Sequence, residues 1–210
     1  MYDVKRVKEG CPVCGDDVIG NEKVKYYCKA CNSMYEFKHI EVNKNSCALF
    51  IGRFQPFHKG HLWAVKKILE ENEFIIIAVG SSQYSNTLKN PFSFQERKQM
   101  IERSLKQENI TNYNIVAIPD IHDHSIWVKH VMDLVKGFHF VYTGSELTRR
   151  LFSDAKLPVK LLIRKDQVSA SEVRFRILKD MDFKHMLPET VTKYLKEING
   201  AKRIKSLGWG

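Results

Sequence analysis

The chain has 210 residues, enough for one sizeable hydrophobic core and a small second module. Its composition, 43% hydrophobic and 28% charged, is typical of a globular protein, and its longest apolar run, residues 74–79, is far too short to cross a bilayer. The opening MYDVKRVKEG lacks the apolar core of a signal peptide, so we expect a cytoplasmic protein without membrane contact. The formal net charge of +10 favours polyanionic ligands, which include nucleotides as well as nucleic acids.

Paired cysteines dominate the first part of the chain. Two CxxC pairs are present, formed by Cys11, Cys14, Cys28 and Cys31. Alternating apolar positions in residues 24–27 and 33–40 predict short strands around them. Two facing CxxC turns supply the tetrahedral four-sulfur cage that Zn²⁺ prefers, and about forty residues bury too little surface to fold without such a ligand. We therefore predict a zinc ribbon over residues 1–45, with a redox dithiol or an iron–sulfur site as alternatives.

After a short polar linker comes the string SCALFIGRFQPFHKGHL. Its apolar run, residues 48–51, predicts a buried parallel strand that stops at Gly52, where the backbone can turn sharply and approach a ligand. A helical pattern follows, which places His58 and His61 on one face of its first turn. Unpaired N–H groups and the helix dipole favour phosphate at such a helix start. Together with Arg53, the two imidazoles predict a polyphosphate clamp.

Apolar runs and helical patterns alternate along the remaining chain. Further strands are predicted at residues 74–79, 113–118, 139–142 and 159–163, and further helices at residues 94–105, 127–135 and 189–199. Gly200 is expected to cap the last helix, and residues 201–210 to form a mobile tail. Repetition of strand, glycine, polar loop and helix predicts an α/β fold with a doubly wound parallel sheet, whose ligands bind beyond the carboxyl ends of the strands.

A second predicted helix start repeats the anion-binding arrangement. Ser169 and Glu172 have the spacing of a capping box, and the hydroxyl groups of Ser169 and Ser171 can donate to phosphate oxygens. Arg174, one turn further on, can bind two phosphate oxygens at once. In the loop after the second strand, Lys89 can also reach a phosphate. These residues predict the second side of a polyphosphate clamp.

The loop after the third strand carries side chains that can contact a nucleotide. It carries Asp120 and His124, and Trp127 stands at the start of the helix that follows. The indole offers a flat face for a pyridine ring, and the carboxylate of Asp120 can accept a hydrogen bond from a ribose hydroxyl or an amide.

Several of these strings together resemble one family. GRFQPFHKGH is similar to the signature of nucleotidyltransferases that carry an HxGH motif on a Rossmann-like fold, and its GRFQP form resembles the archaeal-type nicotinamide-nucleotide adenylyltransferases. The resemblance continues through GSSQYSNTLKNPF, IPDIHDHSIW, YTGS and SASEVRFRI, and covers residues 46–200. It implies adenylyl transfer from ATP, accompanied by Mg²⁺, to nicotinamide mononucleotide, with release of pyrophosphate. It also implies a homo-oligomer.

The resemblance assigns roles to individual residues. Catalytic roles are implied for His58, His61, Lys89 and Arg174. ATP binding is implied for Gly52, Arg53, Phe54, Gln55, His58, His61, Gly144, Ser169, Ser171 and Arg174. Binding of nicotinamide mononucleotide is implied for Ser82, Asp120, His124 and Trp127. The sequence departs from the family pattern at His124 and Ser145, because the family usually has asparagine at these positions.

Two alternatives stay open at this point. The acceptor can be nicotinate mononucleotide or another phosphorylated compound such as flavin mononucleotide, since the acceptors differ in the group that the loop around His124 would contact. In a different class, the chain is a zinc-ribbon protein that binds nucleic acid or acts as a sensor with a nucleotide site. Acidic residues nearly cancel the basic ones within residues 1–45, so the nucleic-acid alternative is not favoured.

Overall fold

A computed structural model describes residues 46–162 and 168–208 in full and, before them, the backbone of four short strands. The strands are β1 (Arg6–Val7), β2 (Val18–Ile19), β3 (Tyr26–Cys28) and β4 (Ser33–Tyr35). They pair antiparallel in the order β1-β2-β3-β4. Of the paired cysteines, Cys28 ends β3, and Cys11, Cys14 and Cys31 lie outside the described residues. Within the described ranges no cluster of side chains is suited to hold a metal ion, so the zinc ribbon stays a prediction.

Five strands form the main sheet, in the order β7-β6-β5-β8-β9, and all of them are parallel. They are β5 (Cys47–Gly52), β6 (Phe74–Gly80), β7 (Tyr113–Ile118), β8 (Phe140–Thr143) and β9 (Val159–Leu161). This confirms the predicted doubly wound sheet. The strand order reverses between β5 and β8, so the loops that follow these two strands diverge and open a crevice at the carboxyl edge.

Seven α-helices and a 3-10 turn are present in the described residues. They are α1 (Lys59–Glu71), α2 (Phe94–Gln107), α3 (His124–Leu134), α4 (Glu146–Asp154), α5 (Ala170–Leu178), the 3-10 turn (Lys184–Met186), α6 (Glu189–Glu197) and α7 (Gly200–Leu207). No helix in this part of the chain combines the length and apolar content needed to span a membrane.

The helices cover both faces of the sheet because successive strand residues point to opposite sides. On β5, Ala48 and Phe50 pack into a core shared with α1, α2, α5, α6 and α7. Leu49 and Ile51 pack into a second core with α3 and α4. All four side chains are buried, which explains why the sequence of this strand is continuously apolar.

Helix α4 and an early start of α3 were not predicted from the sequence. In α4 the only fully buried residue is Phe152, so the helix lacks the repeated apolar positions that reveal a longer one. Helix α3 begins three residues before Trp127 because Asp123 caps it, accepting a hydrogen bond from the backbone N–H of Ser125 at 2.8 Å.

The end of the chain also differs from the prediction. Helix α6 stops at Glu197, Asn199 takes the left-handed conformation with φ 53°, and Gly200 begins α7 instead of capping α6. Residues 201–207, which were expected to be mobile, form most of α7. The predicted mobile tail is therefore wrong over this range, because Ile204 is fully buried in the larger core.

Candidate active site

A cavity of about 250 Å³ lies at the carboxyl edge where the strand order reverses. Its walls come from the loop after β5 with the start of α1, the loop after β8, and the start of α5. Predicted site residues in the lining are Gly52, Arg53, Phe54, Gln55, His58, His61, Gly144, Ser171 and Arg174. The fold thus brings the two predicted phosphate-binding helix starts together, although Gln55 and Arg174 are 119 residues apart.

The two histidines of the HKGH string cap helix α1 reciprocally. The backbone N–H of His61 donates to Nδ1 of His58, and the backbone N–H of His58 donates to Nδ1 of His61, each at 3.3 Å. The rings stack with their centroids 3.6 Å apart. Because each Nδ1 accepts a hydrogen bond, the proton of each neutral ring lies on Nε2. Both histidines line the cavity.

Aromatic side chains fix the orientation of the His61 ring. Phe54 contacts it edge-on with centroids 4.8 Å apart, and Phe57 stacks on it at 5.5 Å. Phe54 is buried and adopts a left-handed backbone conformation, φ 53°, which is unusual for a bulky residue. Its ring belongs to the core beneath the cavity, so it supports the histidine from below.

Gln55 supports the same loop through its side chain and binds Arg174 through its backbone. The amide of Gln55 forms two hydrogen bonds with the backbone of Phe92, at 2.8 and 3.0 Å. Its carbonyl oxygen accepts a hydrogen bond of 2.7 Å from the guanidinium of Arg174. Both polar atoms of the Gln55 side chain are therefore occupied within the protein, and helix α5 is fastened to the loop after β5.

Three guanidinium groups surround this loop. Arg53 is exposed in the cavity wall, whereas Arg174 is half-buried. Burial, followed by the positive charge of Arg53, lowers the pKa of Arg174. Arg97 is fully buried, and burial together with Arg53 lowers its pKa to about 10. Such a concentration of positive charge is electrostatically costly by itself and becomes favourable when a polyanion binds.

The start of α5 is built as predicted, with two differences. The hydroxyl of Ser169 caps the helix by accepting from the backbone N–H of Glu172 at 3.1 Å, and Ser169 does not line the cavity. The carboxylate of Glu172 accepts from Arg176 at 2.7 Å instead of closing a capping box. Ser171 does line the cavity, and its hydroxyl accepts a hydrogen bond from Arg174 at 3.3 Å.

The residues predicted to bind the acceptor lie outside this cavity. Ser82 and Asp120 stand just beyond the adjacent carboxyl ends of β6 and β7. His124 is exposed at the first position of α3. Trp127 is half-buried and contacts Phe152 of α4 edge-on, with centroids 5.7 Å apart. The structure therefore gives Trp127 a packing role between α3 and α4.

Two predicted residues are exposed on loops. Lys89 lies in the loop between β6 and α2, and it does not line the cavity. Gly144 follows β8 and has open space around it, so the loop leaves room for a ligand there. The next residue, Ser145, caps α4 by accepting from the backbone N–H of Thr148 at 3.3 Å.

Known proteins match the chain over the segments that build this site. The cytidylyltransferase-like family model matches residues 49–176. The nicotinamide-nucleotide adenylyltransferase of Thermococcus sibiricus is 45% identical over 163 residues, covering 76% of this chain and 88% of the relative. That of Thermoplasma acidophilum is 43% identical over 170 residues, covering 80% and 95%. The chain belongs to this adenylyltransferase family.

A solved structure of another adenylyltransferase is similar in fold to this chain. It is the bifunctional NMN adenylyltransferase/ADP ribose pyrophosphatase of Francisella tularensis, complexed with AMP and a manganese ion. The similarity has a TM-score of 0.63 and 26% sequence identity, and covers 77% of this chain. This chain spans about half of that protein, 52% of its length.

Sequence reasoning missed one residue that organises the adenylyltransferase site. The guanidinium of Arg97 donates to the carbonyl oxygens of Arg53 at 2.9 Å and Gly80 at 2.8 Å. It also donates to the carbonyl oxygen of Ser81 at 3.1 Å, and so joins the turns that follow β5 and β6. One signal was available, because Arg97 lies at helical spacing from Met100 and therefore falls on the apolar side of α2.

Proposed function

We propose that the chain transfers the adenylyl group of ATP to the 5′-phosphate of nicotinamide mononucleotide, forming NAD and pyrophosphate. Membership of the nicotinamide-nucleotide adenylyltransferase family supports the reaction. The observation that carries the proposal for this chain is a shared cavity, whose lining includes His58, His61, Arg53, Arg174 and Ser171.

The chemistry of the reactants explains this set of side chains. A phosphate monoester has its second pKa near about 6, so the attacking phosphate is already largely a dianion at neutral pH and needs no general base. The enzyme must instead align two anions and stabilise the charge that develops as pyrophosphate leaves. Consistent with this task, the described residues that line the cavity include arginines, histidines and hydroxyl groups but no carboxylate.

We assign the ATP phosphates to the cavity between the starts of α1 and α5. The Nε2–H groups of His58 and His61 would donate to phosphate oxygens around the bond that breaks. Arg53 and Arg174 would bind the remaining phosphate oxygens, with Ser171 as an additional donor. Mg²⁺ would neutralise phosphate charge when it is bound together with ATP.

We assign the acceptor nucleotide to the neighbouring carboxyl ends of β6 and β7. Ser82 and Asp120 stand at this edge, and His124 begins the helix beside it. Arg97 supports the assignment, since its hydrogen bonds join the turn that contains Arg53 to the turn that leads into Ser82. Lys89 would reach the phosphates from its exposed loop, and Trp127 would offer to the pyridine ring the part of its indole that Phe152 does not cover.

Pyrophosphate release from ATP and Mg²⁺ tests the proposed reaction. Nicotinamide mononucleotide, its nicotinate analogue and flavin mononucleotide are run in parallel with the same protein. We expect robust turnover with nicotinamide mononucleotide, and the nicotinate arm shows which of the two bases the protein prefers. If protein that still binds ATP releases no pyrophosphate with any of the three acceptors, the proposal is contradicted.

We further propose that residues 1–45 form a zinc ribbon with Cys11, Cys14, Cys28 and Cys31 as ligands. Two CxxC pairs and an antiparallel arrangement of short strands support it. The family resemblance also supports self-association, which the mass in solution by light scattering would test.

A further inference from the structure

Hydrogen bonds join the loop after β6 to the loop after β7. The Gln83 side chain donates from Nε2 to the carbonyl oxygen of Asp120 at 2.8 Å, and its Oε1 accepts from the backbone N–H of Asp120 at 2.9 Å. The hydroxyl of Tyr84 lies 2.6 Å from Nε2 of His122. The two loops are therefore held as one unit beyond the carboxyl edge.

The Gln83 amide replaces the strand partner that Asp120 lacks. β7 ends at Ile118, so no neighbouring strand pairs with the backbone of Asp120. The reciprocal pair of bonds from one side-chain amide satisfies its N–H and C=O together and fixes the direction of the residue. Because Gln83 is exposed, these bonds replace hydrogen bonds to water and contribute little to stability. Their main effect is on orientation.

The carboxylate of Asp120 is also fixed on one side. The hydroxyl of Ser81 donates to its Oδ2 at 2.7 Å. Ser81 is itself buried, holds a left-handed backbone conformation with φ 50°, and accepts from Arg97 through its carbonyl oxygen. In the part of the chain that the structure describes, Oδ1 of Asp120 accepts no hydrogen bond. This oxygen is therefore oriented in advance for a ligand.

We propose that Gln83 is a positioning residue for the acceptor nucleotide. It acts through Asp120, whose backbone it holds so that the carboxylate meets a hydroxyl or amide of the acceptor without a further ordering cost. The proposal rests on the proposed function, in which Asp120 binds the acceptor. Gln83 does not line the cavity to which we assign ATP, so its effect should be confined to the acceptor.

The variant Gln83→Met tests the proposal because it keeps the length of the side chain and removes the amide. Loss of preorganisation should raise KM for nicotinamide mononucleotide about tenfold, while KM for ATP stays within about twofold. The matched control is Gln99→Met, since Gln99 is an exposed glutamine on α2 whose amide donates to Glu102 at 3.0 Å. Both variants should melt at the same temperature as the wild-type protein. Unchanged KM values in Gln83→Met, or equal rises for both substrates, would overturn the proposal.

The same substitution in an Asp120→Ala protein distinguishes an indirect role of Gln83 from direct binding of the acceptor by Gln83. In Asp120→Ala, the carboxylate that Gln83 positions is missing, so adding Gln83→Met should change KM for the acceptor by less than about twofold. Additive effects of the two substitutions would overturn the positioning role. Wild-type turnover is measured first. Its absence would refute the proposed function and the positioning role together, whereas normal turnover without a selective effect of Gln83→Met would refute the positioning role alone.

Discussion

His58 and His61 combine a structural and a chemical role at the residue scale. Their Nδ1 atoms hold the first turn of α1, and the same hydrogen bonds place the ring protons on Nε2. In the proposed reaction, the arginines supply the positive charge of the cavity and the histidines supply oriented hydrogen-bond donors.

Substitution of His61 by alanine tests its proposed role as a hydrogen-bond donor to the reacting phosphate. Loss of one donor at the transferring phosphate should lower kcat about 10²- to 10³-fold. One of the two cap bonds remains possible, so the free energy of unfolding should fall by only about 1 kcal/mol. Steady-state kinetics and denaturant unfolding measure the two effects. The control is His185→Ala, which removes an exposed histidine paired with Asp182. Near-normal kcat in a folded His61→Ala protein would contradict the catalytic role.

At the scale of elements, helix α7 fastens the region that precedes α2. Arg203 donates to the carbonyl oxygen of Pro91 at 3.2 Å and to both carboxylate oxygens of Glu96, each at 2.8 Å. Glu96 also closes the capping box of α2 with Ser93. Burial alone would raise the pKa of Glu96, but the hydrogen bonds from Arg203 and Ser93 lower it below its ordinary value of 4.5. Helix α7 is thus part of the folded domain.

The variant Arg203→Met should lower the free energy of unfolding by about 2 kcal/mol at neutral pH, because it removes hydrogen bonds to a partly buried carboxylate. A carboxylate with a lowered pKa stabilises the fold above its unfolded pKa, and this contribution disappears as the pH falls through the folded value. The difference between variant and wild type should therefore shrink below pH 4.5. Denaturant unfolding at neutral pH and below pH 4.5 measures this difference, and the exposed Lys202→Met serves as the control. A difference that does not vary with pH would contradict the role of Glu96.

At the scale of the whole molecule, the chain joins a sheet domain to a cysteine-rich segment. The family model begins at residue 49, so the segment lies outside it. Its four strands are only two or three residues long each, and about forty residues are too few to form a sizeable hydrophobic core. A bound metal would therefore supply much of the folding energy of this segment.

Metal analysis of protein purified without chelators should find about one zinc per chain. The substitution Cys11→Ser should remove it, because three thiolates leave the tetrahedral site incomplete. Cys47→Ser is the matched control, since Cys47 is the fifth cysteine and begins β5 in the sheet domain. Wild-type protein without zinc would contradict the zinc ribbon.

Local patterns were sufficient for much of the fold. The predicted third strand coincides with β7, the first is one residue shorter than β5 at each end, and the second is one residue shorter than β6 at its carboxyl end. These strands were predictable because continuous apolar runs mark strands covered on both faces. Helix α4 was missed because its buried face is a single aromatic residue. Helix α7 was missed because its stability comes from packing against distant segments.

By itself, the sequence determined the parallel sheet and the two helix starts to which we assign the phosphates, since apolar runs, glycine turns and helix caps act between residues close in the chain. Only the tertiary structure decided that Arg97 is buried beneath the site, that Phe54 points into the core and that Gln83 holds Asp120. A polar or aromatic side chain has several stable environments, and which one it occupies depends on atoms that other segments bring to it.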